Sequence, residues 1–76
     1  MTDVHPSHEI EFQLTGSILK DGRIITTVKD IINPDNFHNT ICQDVYSAMV
    51  KVYEAGLTID AVTVGDQLQR EGKLNS

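Results

Sequence analysis

The stretch GLTIDAVTVGDQLQREGKL, Gly56 to Leu74, sets a helix stop, a turn, a helix start and a second stop within nineteen residues. Gly56 stands where a residue just past a helix end adopts the left-handed conformation, and Leu57 is placed to touch Val52 as in a Schellman motif. Asp60 or Thr63 then caps a last helix, Thr63 with Asp66 three residues on as a capping-box variant. Leu68 supplies the inward anchor of that helix and Gly72 ends it. Any fold of this chain must therefore accommodate two helices joined by a short connection whose conformation is locally dictated.

The helix leading into Gly56, from Asn39 to Ala55, is the clearest amphipathic run. Ile41, Val45, Ala48, Met49 and Val52 share one stripe, and Gln43, Asp44, Ser47, Lys51 and Glu54 lie opposite. Near the start, Ser7 is suited to cap a first helix in which Glu9 and Glu11 occupy the opening turns, where negative charge favours the macrodipole. Ile10, Leu14 and Ile18 form its inward face, and Asp21-Gly22 ends it. Gly16 interrupts this helix at a cost of about 1 kcal/mol relative to Ala, which reads either as a point of close helix approach or as a weak spot. RIITTVKDII, residues 23–32, is rich in β-branched residues, yet Ile24, Val28, Ile31 and Ile32 match the helical template. Asn33-Pro34 stops that segment, and residues 34–37 form a turn or single helical turn with Phe37 as a core plug. Nothing alternates with a period of two for long enough to build a sheet, so the expected class is all-α. Residues 1–6 are expected to be a flexible tail and residues 7–76 one helical domain.

At 76 residues the chain buries only roughly 60% of its unfolded surface, so its stability is marginal without help. Cys42 is the sole cysteine, which excludes an internal disulfide, and with no signal peptide at the start the expected compartment is the cytoplasm. No stretch approaches the length of a membrane span. The net charge is −5, and Lys20, Arg23, Lys29, Lys51, Arg70 and Lys73 are dispersed. Such a surface is repelled by phosphate backbones, so no direct nucleic-acid contact is expected, and a basic protein surface is the natural complement.

Gly72-Lys73 is followed by Leu74, so no phosphate-binding loop is present, and no nucleophile sits in a catalytic setting. Glu9 and Glu11 read as charges on a solvated helix start. No catalytic residue and no cofactor site is expected. His5-x2-His8 and His38-x3-Cys42 have spacings that zinc sites use. However, His5 precedes Pro6 in the tail and Cys42 lies beside the apolar stripe, so the expectation is no metal and a buried thiol. Tyr46 and Tyr53, seven residues apart, read as core-edge rings.

Three blocks of residues carry a family resemblance. Pro6, Glu11, Gly16, Ile18 and Leu19 fit the first, with Thr15 where leucine is usual. Phe37, Val45, Tyr46 and Ala48 fit the second, with Asn36, His38 and Cys42 in place of the usual aspartate, aromatic residue and histidine. Gly56, Ile59-Asp60, Val62-Thr63-Val64, Leu68, Gly72 and Leu74 fit the third. Over residues 6–76 the chain thus resembles the N-terminal domain of the DnaB-type hexameric replicative DNA helicases. The resemblance implies a small orthogonal bundle of four to five helices, the globular head of that domain. In the family it is followed by a Gly-Gly segment, a helical hairpin, a linker and a RecA-like ATPase. The chain is therefore expected to be a non-catalytic fragment of an ATP-dependent DNA helicase, with ATP and Mg2+ needed only by the motor.

What the resemblance implies about function is ring assembly and docking in the primosome. The expected partners are the helicase-binding domain of primase, other copies within a helicase hexamer, with a weak dimer for the fragment alone, and a helicase loader. Asp60, Gln67, Arg70 and Glu71, on the last helix and its entry loop, are the candidate partner-binding residues. Phe12 and Tyr53, large and off the main apolar stripes, are the candidates for self-association. Two other readings share the fold. One is a stand-alone phage or plasmid adaptor that binds helicase or primase. The other is the helicase-binding domain of a primase, disfavoured because Met1 lies so close to the first helix.

Overall fold

The computed structural model describes residues 6–73, with the side chains of residues 6–8 excepted. Among these residues it contains four α-helices and one 3-10 turn, and no strand. In chain order they are α1 (Pro6–Lys20), α2 (Ile24–Val28), the 3-10 turn (Pro34–Asn36), α3 (Thr40–Glu54) and α4 (Ala61–Arg70). The all-α expectation holds. Of the expected tail, residues 1–5 lie outside the described residues, while Pro6 already opens α1, one residue before the expected cap at Ser7. Proline suits that first position, where its missing N–H has no intrahelical partner to lose.

The rotation of α1 departs from its hydrophobic pattern. Ile18 is fully buried and Leu14 partly so, but Ile10 is 63% exposed, and the buried positions upstream of Ile18 are Glu11 and Thr15. The cause is a polar contact. The Glu11 carboxylate accepts hydrogen bonds from the backbone N–H groups of His38 and Asn39, each at 2.8 Å. These groups stand at the entrance to α3, where helix geometry leaves N–H groups without intrahelical acceptors and the macrodipole favours an anion. Glu11, at 8% exposure, is thus a structural residue and not the solvated helix-start charge its position suggests. Thr15 satisfies its own hydroxyl within α1, donating to the carbonyls of Glu11 at 3.0 Å and Phe12 at 3.1 Å.

The start of α3 is completed by Asn39, whose side-chain oxygen accepts from the Cys42 N–H at 3.0 Å. With α1 seated against this end, Cys42, Tyr46, Met49 and Val52 form the buried stripe of α3, joined by Ala48. Of the expected stripe, Ala48, Met49 and Val52 are buried and Val45 packs against the core, while Ile41 is 64% exposed and Cys42 takes the inward place in the first turn. Tyr46 is a fully buried core residue, not an edge ring. Its hydroxyl donates to the Ile32 carbonyl at 2.8 Å and its ring lies 4.9 Å from that of Phe37. One side chain thereby pins the 32–37 loop to α3, and Phe37 is the buried plug its sequence setting predicts.

Residues 24–28 are helical as the template requires, but the helix stops at Val28. Ile25 is the fully buried residue, Ile24, Val28 and Ile32 pack against the core, and Ile31, past the end of the helix, stands 74% exposed. Ahead of α2, Asp21 receives both the backbone N–H and the guanidinium of Arg23, which together hold its carboxyl below the usual carboxylate range. Gly22 is the point of close approach that Gly16 is not. A Cβ at Gly22 would lie 3.0 Å from the Ile59 Cβ, whereas nothing comes within 4 Å of one at Gly16.

The connection from α3 to α4 follows its local code. Gly56 has φ +79°, the Gly56 N–H donates to Tyr53 and the Leu57 N–H to Val52, which is the Schellman pattern. Leu57 itself remains exposed. Asp60 is the cap of α4 and Thr63 the reciprocal partner. The Asp60 carboxylate accepts the Thr63 N–H at 2.8 Å, and the Thr63 hydroxyl accepts the Asp60 N–H at 3.0 Å. This decides between the two capping alternatives and excludes the Thr63-Asp66 box. Ile59 and Val64, the two hydrophobic-staple positions around this cap, are both buried in the core. Leu68 is buried as expected, and Gly72, at φ +73°, closes α4 with a second Schellman pattern from Gly72 to Gln69 and Lys73 to Leu68. Leu74 lies outside the described residues. No buried side-chain N or O among the described residues lacks a hydrogen-bond partner.

Two stability experiments follow, both read by urea or thermal unfolding. Glu11→Ala strands two backbone N–H groups and is expected to cost about 2–4 kcal/mol, while Glu11→Gln, which keeps one neutral acceptor oxygen, costs about 1–2 kcal/mol. Two glycines should respond with opposite signs: Gly16→Ala is expected to stabilise by about 0.5–1 kcal/mol, and Gly22→Ala to destabilise by about 1 kcal/mol through overpacking on Ile59.

Candidate functional site

The inner side of α4 is committed to α3. Lys51 of α3 pairs with Glu71, and Gln67 donates to the same Glu71 oxygen at 2.8 Å. Lys51, then Gln67, hold the Glu71 carboxyl below its ordinary range. Just past the helix end, Lys73 pairs with Asp44 at 2.9 Å, and the carboxylate holds the ammonium above its usual range. Of the four candidate partner-binding residues, the structure therefore brings Gln67 and Glu71 together, both turned towards α3. Asp60 stands at the opposite end of α4, occupied as its cap. Arg70 alone belongs to the outer face.

That outer face has members the sequence reading did not single out. Val62, Asp66 and Arg70 recur at four-residue spacing, opposite the buried Val64 and Leu68. Val62 is 79% exposed, and Arg70 pairs with Asp66 at 3.0 Å with both side chains largely in water. Counting back in fours from Arg70 finds this stripe.

Phe12 is half-exposed on α1, and Tyr53 is at the margin of exposure in the last turn of α3. The Lys29 ammonium lies 5.7 Å from the centre of the Tyr53 ring, within cation–π range. Tyr53 and Leu57 border a shallow groove of about 270 Å³ with Arg23, Thr26 and Ile59.

Of the four residues with zinc-site spacing, His5 and the side chain of His8 fall outside the described residues. His38 is exposed, while Cys42 is buried with its thiol beside the Thr15 hydroxyl. Burial pushes that thiol up, with the nearby Glu11 charge adding to the effect, which opposes the thiolate form that ligation or nucleophilic attack requires. Among the described residues no three His, Cys, Asp or Glu side chains converge to hold a metal ion. No helix of the described residues is long and apolar enough to cross a membrane.

Comparison with known proteins gives a consistent result. The family model described as the DnaB-like helicase N terminal domain matches residues 4–76. The replicative DNA helicase DnaB of Rhodothermus marinus is 29% identical over 66 residues, covering 87% of this chain and 7% of that protein. The replicative DNA helicase DnaB of Rickettsia conorii is 30% identical over 69 residues, covering 90% of this chain and 14% of that protein. No solved structure matches. The chain thus spans a small fraction of these helicases, and the fraction it spans is the domain described above. With the match running through all four helices and both glycine stops, this chain belongs to the DnaB-like helicase N-terminal domain family.

Proposed function

We propose that this domain is the assembly and docking module of a replicative DNA helicase, acting by binding and not by bond making. In this reading it pairs with copies of itself in a hexameric ring, receives the helicase-binding domain of primase and contacts a helicase loader. ATP and Mg2+ act only in a motor domain outside this chain, and the site of action is the cytoplasm. The observation that carries the proposal is the family match across residues 4–76. The structure supports it in one respect. Asp60, Gln67 and Glu71 have internal work, so the outer stripe of Val62, Asp66 and Arg70 is the part of α4 left for a partner. An apolar residue flanked by an exposed ion pair suits a contact of moderate affinity that is made and released.

Calorimetric titration with the primase helicase-binding domain from the same source tests this directly. Saturable, salt-sensitive binding is expected, and Asp66→Lys, which sets a cation against a basic partner, should weaken it by about tenfold, or about 1.4 kcal/mol. Wild-type binding left intact by both Asp66→Lys and Val62→Asp would remove α4 from the contact. Self-association is read separately by sedimentation over a concentration series. Phe12→Ser and Tyr53→Ser should each raise the dimer dissociation constant by about tenfold, and an unchanged constant would discard that residue.

A further inference from the structure

A second solvent-facing feature lies where the 32–38 loop faces the first half of α1. Ile10 and Leu14 from α1 and Ile32 and Phe37 from the loop line an open, mainly apolar cleft of about 290 Å³, with Glu11 and His38 completing the lining. Small-molecule sites run from about 300 to 1,000 Å³ and are more enclosed. A cleft of this size and openness fits one or two aliphatic side chains projecting from a larger body, the helix-in-groove mode of recognition.

Charge identifies that body. Both walls come from stretches of sequence without a single lysine or arginine. Residues 1–19 and 30–50 carry none; Glu11 is buried and Asp30 and Asp44 are paired with Lys29 and Lys73, which leaves Glu9 and Asp35 as the exposed carboxylates next in sequence to the lining residues Ile10 and Asn36. The cations of the domain lie elsewhere, and Arg23, Lys29, Lys51, Arg70 and Lys73 are each joined to a carboxylate. An apolar cleft with acidic surroundings complements an occupant that is apolar on one side and cationic around it. A second copy of this chain is a poor occupant, because it carries the same net charge of −5 and its cations are already paired. We propose that the cleft between α1 and the 32–38 loop is a docking site for a cationic amphipathic helix of a partner protein, with aliphatic side chains in the cleft and Lys or Arg at its rims. The site is separate from the α4 stripe and does not depend on the helicase reading.

The probe is a short synthetic peptide with Leu at i, i+3, i+4 and i+7 and Lys at the flanking positions, titrated into the 15N-labelled 76-residue chain. The control is the same peptide with Glu for Lys. The Lys peptide is expected to saturate, to shift the amide signals of Ile10, Leu14, Ile32 and Phe37, and to lose affinity as salt is raised. Ile10→Lys should weaken it by at least about tenfold while leaving the helical circular dichroism unchanged, since Ile10 is already mostly exposed. Asp35→Lys, at another exposed position, supplies the same electrostatic test should Ile10→Lys impair folding. The proposal is overturned if the Lys peptide does not bind, if the Glu peptide binds equally well, or if the shifts map to α4 or to the groove beside Tyr53. It is equally overturned if Ile10→Lys converts a wild-type dimer to a monomer, for then the occupant is a second copy.

Discussion

The placement of one carboxylate governs the architecture of this domain. Glu11 is taken out of water by the packing of α1 on α3, a step that costs several kcal/mol for an ion left without partners. At the mouth of α3 it meets two backbone N–H groups that the helix cannot satisfy itself, together with the positive end of the helix dipole. Each side resolves the other's desolvation. The geometry tolerates little rotation of α1, because turning that helix by one residue would carry the carboxylate away from both donors. A polar contact of this kind adds less to net stability than to uniqueness, since alternative packings of α1 would bury the charge unpaired.

The rotation fixed by Glu11 explains where sequence patterning succeeds and where it fails. Caps and stops are legible because their causes are local. Gly56, Asp60 and Gly72 act through hydrogen bonds that span no more than five residues, so they can be read without knowing the fold. The opening turns of α1 and α3 are joined by a contact 27 residues apart in sequence, and there hydrophobicity alone misplaces the inward face by about one position, while Ile18, Met49 and Val52 are buried as their spacing predicts. Ile10 and Ile41 are left outside, while Thr15 and Cys42 are inside. The family pattern hinted at this, with Thr15 and Cys42 standing at its usual leucine and histidine positions, but spacing alone could not say which way they point.

The candidate surface was legible in part for the same reason. Arg70 was identifiable as exposed from helical periodicity, whereas Glu71 is claimed by Lys51, a partner 20 residues away and not visible as such in the sequence, and Gln67 by Glu71. Glu71 and Lys73 together fasten the end of α4 to α3 at two points. Exposed ion pairs of this kind contribute only about 0–1 kcal/mol each, so their effect lies more in orientation than in strength. They hold the inner face down and thereby fix the direction in which Val62, Asp66 and Arg70 project.

A domain this small has few side chains to divide between holding itself together and holding something else. Here the division follows charge. Five of the six cations are spent on internal pairs, and the carboxylates that exceed them in number leave the surface acidic. An acidic surface is complemented by a basic one, and the short-range contacts it offers are the apolar residues that the Glu11 contact displaces outwards. Ile10 is the clearest case. The packing that hides Glu11 is the packing that exposes Ile10, so the constraint that makes the fold unique also creates its apolar cleft.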